Sequence, residues 1–213
     1  MLKLYAFARV NKFARGNTRD MRVLWMLEEI GMPYEIVGLD HPNHDLDSPA
    51  YRALNPFGQI PAIDDDGVVV TESGAILLYL ARKSGKLIPR DLAGEAQVLR
   101  WSVAALNSIE MPLLSLWFIN MSGGQGTKPS EALRGWANMR LEQLDGWLAN
   151  RKYIATDEFT VADILMTHVL DAASTPAEML TPYPNVVAYR ARCTERPAWT
   201  KVRDAYDKRV EAA

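Results

Sequence analysis

The sequence predicts two fold classes in one chain: a mixed α/β domain over residues 1–84, then an all-α helical domain over residues 91–213. Three observations carry that reading. Up to Ser84, short runs with the period-two alternation of strands are interleaved with runs of helical period. From Asp91 onward the strand signals vanish and long helical periodicities take over. Between them, Gly85-Lys-Leu-Ile-Pro-Arg90 has the composition of a linker.

Leu2 to Phe7 alternates apolar and polar side chains as a strand does. Asn17 or Thr18 then caps a helix whose Met21, Leu24, Leu27 and Ile30 share a face, and Gly31 with Pro33 stops it. Tyr34 to Val37 is a second strand. Ser48-Pro49 opens a short helix ending near Leu54, because serine caps a helix and proline suits its first position. Ala62-Ile63 and Val68 to Val70 flank Asp64-Asp65-Asp66-Gly67, residues that favour a tight hairpin turn. Adjacent aspartates at a strand end point to different faces, which argues against a shared metal ion. Ser73 to Lys83 is the next helix, so the order is βαβαββα, a compact mixed sheet with helices on its faces. In the second domain helices are expected over Leu92 to Asn120, Ser130 to Asn150, Val161 to Ala173, and after Pro184 and Pro197. Thr160 with Asp163 forms a capping-box variant ahead of Val161, and Ser122-Gly-Gly-Gln-Gly-Thr127 is a flexible break.

Composition narrows the function. A chain of 213 residues with 48% hydrophobic content builds its cores without disulfide staples. The net charge of −2, with both signs scattered, gives no electrostatic footprint for nucleic acid or an anionic membrane. The N-terminus lacks the apolar core of a signal peptide and no segment is expected to span a bilayer, so the expectation is a cytoplasmic protein with small ligands. Cys193, the single cysteine, excludes a disulfide framework, a cysteine-based zinc site and a Cys-x-x-Cys pair. Any thiol chemistry needs a thiol from outside. His41 and His44 with Asp45 and Asp47 have ligand-type side chains, but their loop offers neither a rigid scaffold nor a fourth convincing ligand.

The most informative stretch is Asn55-Pro-Phe-Gly-Gln-Ile-Pro61, followed by Thr71-Glu72-Ser73. Pro61 removes a ladder N–H, so the chain there sits at an edge or bends outward and leaves the Ile60 amide and carbonyl free for a ligand. Glu72-Ser73 fall where a helix begins. Its unpaired N–H groups and positive dipole end suit a carboxylate, with the Ser73 hydroxyl as an extra donor and Glu72 as partner for an ammonium. Together they read as a backbone site for a small peptide anion; the plainer alternative is a turn and a helix cap.

These motifs, with Arg22-Val-Leu-Trp25, Leu27-Glu-Glu29, Gly31-Met-Pro-Tyr34 and Phe159-Thr-Val-Ala-Asp-Ile164, resemble the glutathione transferase superfamily over nearly the whole chain, as a bacterial-type cytosolic member. The resemblance implies a thioredoxin-like N-terminal domain, a helical C-terminal domain, usually a homodimer, and a cis peptide before Pro61. It implies a detoxifying transferase with glutathione as co-substrate and no metal. By resemblance, Ile60 pairs its backbone with the cysteinyl part of glutathione while Glu72 and Ser73 hold the γ-glutamyl end. Gln59 stands where many members carry Lys near the glycine end, so a neutral bond, roughly half as strong, replaces a charge-assisted one. His44 is a candidate to restore a donor there.

Such enzymes place a Ser, Tyr, Cys, Thr or Asn near the start of the first helix, where it donates a hydrogen bond to the sulfur. A donor plus a helix N-terminus lowers a thiol pKa from its usual value of about 8.5. Gly16-Asn17-Thr18-Arg19 occupies that place. Thr18 aligns with the serine of an Asn-Ser-Arg pattern in some bacterial and fungal members, and Asn17 with the activating serine of others. Thr18 is the first candidate, Asn17 the second, and Arg19 an electrostatic helper; a plain cap is the alternative for Thr18. Ala8 to Gly16 is longer and more basic than the usual turn. Trp117 and Phe118, on the long helix that borders the electrophile pocket in this family, and Phe7 at the end of the first strand are candidates for the apolar wall. Two rivals stand beside the transferase: a glutathione-dependent peroxidase or reductase, and a binding or scaffolding module that kept the fold without the chemistry.

Overall fold

The computed structural model describes residues 1–11 and 14–211, so Lys12 and Phe13 of the long first loop lie outside the described residues. The chain divides into two compact units, Met1–Lys86 together with the last helix, and Leu87–Arg196. The first unit runs β1 (Leu2–Phe7), α1 (Asp20–Ile30), β2 (Tyr34–Leu39), α2 (Pro49–Leu54), β3 (Ala62–Asp65), β4 (Val68–Thr71) and α3 (Ser73–Ser84), the βαβαββα order expected. The sheet order is β2-β1-β3-β4. β1 pairs parallel with β2, Leu4 opposite Ile36, and antiparallel with β3, Leu4 opposite Ile63. A parallel pair needs a crossover, which α1 provides. The β3–β4 connection is a tight turn with Asp66 at φ 51° and Gly67 at φ 93°, and Asp64 Oδ1 accepts the Gly67 N–H at 2.7 Å.

Alternation in β1 buries Leu2, Leu4 and Ala6, while Met21, Val23, Trp25, Met26 and Leu27 bury α1 on more than one face. A helix apolar nearly all round needs cover on several sides. α3 packs on α1, and so does a helix far along the chain, Pro197–Glu211. Its Trp199 ring meets that of Trp25 with centroids 4.6 Å apart. This differs from the division at residues 91–213: the last helix belongs with the first unit. Its apolar spacing, Trp199, Val202, Tyr206 and Val210, shows that it has a face to bury and is silent on which partner buries it.

The second unit holds α4 (Leu92–Val103), α5 (Met111–Ile119), α6 (Lys128–Leu148), α7 (Val161–Asp171), α8 (Ala177–Leu180) and α9 (Pro184–Thr194); the Pro197–Glu211 helix is α10. A π-helical segment, Ala104–Glu110, joins α4 to α5, and a second, Asn120–Gly124, extends α5 at its C-terminal end. That run, Leu92–Gly124, is 33 residues long and apolar enough by length and composition to cross a bilayer, where the sequence reading expects no such segment. The reason is its charge distribution: after Glu95 it carries only Arg100 and Glu110. Within its unit it packs against α6 and α7. α7 is buried along its length from Val161 to Leu170. The capping box at its start is formed, with Asp163 Oδ2 accepting the Thr160 N–H at 2.8 Å. Asp163 Oδ1 also accepts from Ile154 N and from the Tyr189 hydroxyl, both at 2.9 Å.

Candidate active site

The stretch before Pro61 is shaped by Asn55, a buried amide whose Nδ2 donates to Gln59 O at 2.8 Å and whose Oδ1 accepts the Phe57 N–H at 3.1 Å. The Tyr51 hydroxyl donates to the same Gln59 carbonyl at 2.7 Å. Two donors therefore fix the peptide that leads into Ile60. The Ile60–Pro61 bond is cis. Pro61 is buried, Ile60 is half-buried, and among the described residues no hydrogen bond engages the Ile60 N–H or C=O. Both groups are therefore open to solvent or to an incoming partner.

At the start of α3, Glu72 takes φ 66°, a left-handed value that costs a side-chain-bearing residue energy and is held where the surroundings fix it. No side chain caps this helix. Its first N–H groups and the positive end of its dipole therefore remain available to an anion. Ser73 is buried, and the equally buried Arg22 donates from Nη1 to Ser73 Oγ at 3.1 Å. Because Oγ accepts there, the Ser73 hydrogen is free to be given to a carboxylate.

The turn between β1 and α1 differs from the simplest expectation. The helix cap is Arg19, with no side-chain cap bond, so neither Asn17 nor Thr18 caps α1. Thr18 is 6% exposed, and its Oγ1 donates to the Tyr206 hydroxyl of α10 at 3.1 Å. That competing partner takes the hydroxyl a cap would use. Burial, the largest influence on it, pushes the Tyr206 phenol above its usual range, so it is neutral. Asn17 and Arg19 are half-buried, each with polar contacts of its own.

The first unit thus carries Asn17, Thr18, Arg19, Gln59, Ile60, Pro61, Glu72 and Ser73, together with Phe7 and His44. Gln59 is exposed and His44, at φ 57°, lies with Nδ1 3.4 Å from Asp47 Oδ2. Phe7 meets the His41 ring edge-on at 6.3 Å. Trp117 and Phe118 belong to the second unit, where their rings meet edge-on at 5.0 Å and Trp117 lines a cavity of about 300 Å³ with Leu116, Asn120, Arg134 and Met179. Arg22 and Tyr206, which meet the candidate residues Ser73 and Thr18, were not singled out as site candidates by sequence reasoning. A charge set among Met21, Val23 and Leu24 is the signal that could have found Arg22; nothing local marks Tyr206.

Comparison with known proteins decides the family. The model of the glutathione S-transferase N-terminal domain matches residues 12–82, and that of the C-terminal domain matches residues 106–197. The chain belongs to the glutathione S-transferase family. This transferase is 33% identical over 199 residues to glutathione S-transferase 3 of Schizosaccharomyces pombe, covering 85% of this chain and 81% of that one. It is 30% identical over 206 residues to the disulfide-bond oxidoreductase YghU of Escherichia coli, covering 87% and 71%. Among solved structures, a glutathione transferase from Burkholderia graminis with two glutathione molecules bound per subunit superposes with a TM-score of 0.83 at 30% identity, covering 96% and 88%. The βαβαββα segment from β1 to α3 is the thioredoxin-like domain of the glutathione transferase architecture, and the helices after it form the helical domain.

Proposed function

We propose that this glutathione transferase binds glutathione at the Ile60 backbone and the start of α3, and directs its sulfur at a small apolar electrophile. The observation that carries the reading is the buried Arg22–Ser73 pair at an uncapped helix start, in a unit that also leaves the Ile60 backbone open. In this reading Ser73 and the α3 amides take the γ-glutamyl carboxylate, Glu72 the ammonium, and Ile60 the cysteinyl backbone. Gln59 and His44 serve the glycine end. The thiol gives its proton to solvent, Thr18 donates to the thiolate with Asn17 as second candidate, and Arg19 adds positive potential. A new S–C bond forms as the leaving group departs with the bonding pair. Phe7 is the proposed apolar contact of the electrophile on the first unit. The reading includes no metal, a homodimer and a cytoplasmic setting, in which reduced glutathione and a free Cys193 coexist.

A second reading, reduction of a disulfide or peroxide by glutathione, is favoured by the kinship with an oxidoreductase and by the two glutathione molecules bound per subunit in the Burkholderia neighbour. Cys193 is buried and its thiol pushed up to about 12, so both sulfurs of the product disulfide would come from glutathione. Turnover across aryl halides, epoxides, isothiocyanates, hydroperoxides and small disulfides separates the two readings. Loss of one preorganised donor costs about 10²-fold in kcat, so Thr18→Val should fall by that order while Asn17→Ala falls less. Unchanged rates in both variants would reject the thiol-activating assignment.

A further inference from the structure

α10 is tied into the turn that carries the proposed thiol activator. Arg209 Nη1 donates to Phe7 O at the end of β1 (3.0 Å) and to Asp20 Oδ2 at the start of α1 (3.1 Å). Val10 N donates to Arg209 O at 3.3 Å, and Arg15 pairs with Asp207 at 3.1 Å. At the centre, the fully buried Tyr206 hydroxyl receives the Gly16 N–H at 3.0 Å and lies 3.1 Å from Thr18 Oγ1. Seating the apolar face of α10 on α1 needs only Trp199, Val202 and the ring of Tyr206; it needs no hydroxyl.

A neutral phenol both gives and receives a hydrogen bond, and either hydroxyl of a pair can supply the shared hydrogen. Gly16 N–H already fills one acceptor site of Tyr206. The hydrogen of Tyr206 then has Thr18 Oγ1 at 3.1 Å or the poorer Ala14 O at 3.5 Å as acceptor. When a thiolate arrives, Thr18 turns its hydrogen from Tyr206 to sulfur, and Tyr206 turns its own from Ala14 O to the Thr18 lone pair so exposed, with no heavy atom displaced. Bonds linked in this sense polarise one another.

We propose that Tyr206 is a positioning residue for the transferase reaction: it holds the Gly16–Thr18 turn and donates to Thr18, so that Thr18 presents its hydrogen to the glutathione sulfur. The inference rests on the reading of Thr18 as thiol activator. Its test is a double-mutant cycle of Tyr206→Phe and Thr18→Val, with kcat, glutathione KM and the thiolate absorbance of the enzyme–glutathione complex followed against pH.

In the wild-type background, Tyr206→Phe should lower kcat about tenfold and raise the bound-thiol pKa by about one unit, the two being the same free energy, with KM within about twofold. In the Thr18→Val background it should cause no further loss. Wild-type kcat and thiolate titration in Tyr206→Phe, or equal losses in both backgrounds, overturn the proposal. If Tyr206→Phe does not fold, 3-fluorotyrosine at position 206 keeps the ring and makes the hydroxyl a stronger donor. It should lower the bound-thiol pKa, and an unchanged value overturns the proposal. A wild-type protein that binds no glutathione, or a fully active Thr18→Val, fails the underlying reading and this inference with it; an active wild type matched by Tyr206→Phe fails this inference alone.

Discussion

Arg22 is 1% exposed and reaches Ser73 Oγ at 3.1 Å, and this is not its only interaction. A buried cation is kept only where partners compensate it, and those partners are held in turn. Hydrogen bonds to charged groups are worth about 1.5–3 kcal/mol, so Arg22→Gln should weaken glutathione binding by roughly 10- to 100-fold in calorimetry. Equal affinity would show that Arg22 only packs. Cys193 makes a second prediction at this scale. Burial pushes its thiol up to about 12 from an unfolded value near 9, so the unfolded chain ionises first. Stability from this group is therefore complete below about pH 9 and declines as pH rises toward 12. Cys193→Ala should flatten the fall in urea midpoint across the lower part of that window, and Cys193 in the folded protein should resist thiol reagents that label it in denaturant.

At the scale of elements, the start of α7 is closed by one carboxylate. Asp163 accepts from Thr160 N, Thr160 Oγ1, Ile154 N and Tyr189 Oη while fully buried. Removing it leaves those buried donors without an acceptor, so Asp163→Ala should cost about 3 kcal/mol or more in urea unfolding. A loss under about 1 kcal/mol would mean that water replaces the carboxylate. This network was legible because its core, Thr160 and Asp163, is a spacing within one turn. The cap of α1 was not: Thr18 has the right residue type, but its hydroxyl is claimed by Tyr206, far along the sequence. α8 is too short to register as a helical period. The Ile60-Pro61 and Glu72-Ser73 elements were readable for the same local reason as the capping box, since proline's missing donor and a helix's open amides follow from residue type and order alone. Arg22's role at Ser73 was not, because it depends on how α1 packs against the start of α3.

For the molecule as a whole, the βαβαββα order and the run of helices after it follow from local patterns, whereas the return of α10 to the first unit is a long-range choice among possible partners. That choice has an energetic consequence. Trp199 meets the fully buried Trp25, and truncating a buried tryptophan costs about 3–5 kcal/mol, so Trp199→Ala should lower stability by that amount and shift the emission of the remaining tryptophans. An unchanged midpoint would mean that α10 is not needed to close the first unit. The central claim is that the Ile60 backbone and the Ser73 helix start together hold glutathione. A crystal structure of the protein saturated with glutathione tests it most directly. The account predicts the cysteinyl backbone paired with Ile60 and the γ-glutamyl carboxylate on Ser73 Oγ and the α3 amides; glutathione seated elsewhere, or only solvent at Ile60 and Ser73, would contradict it.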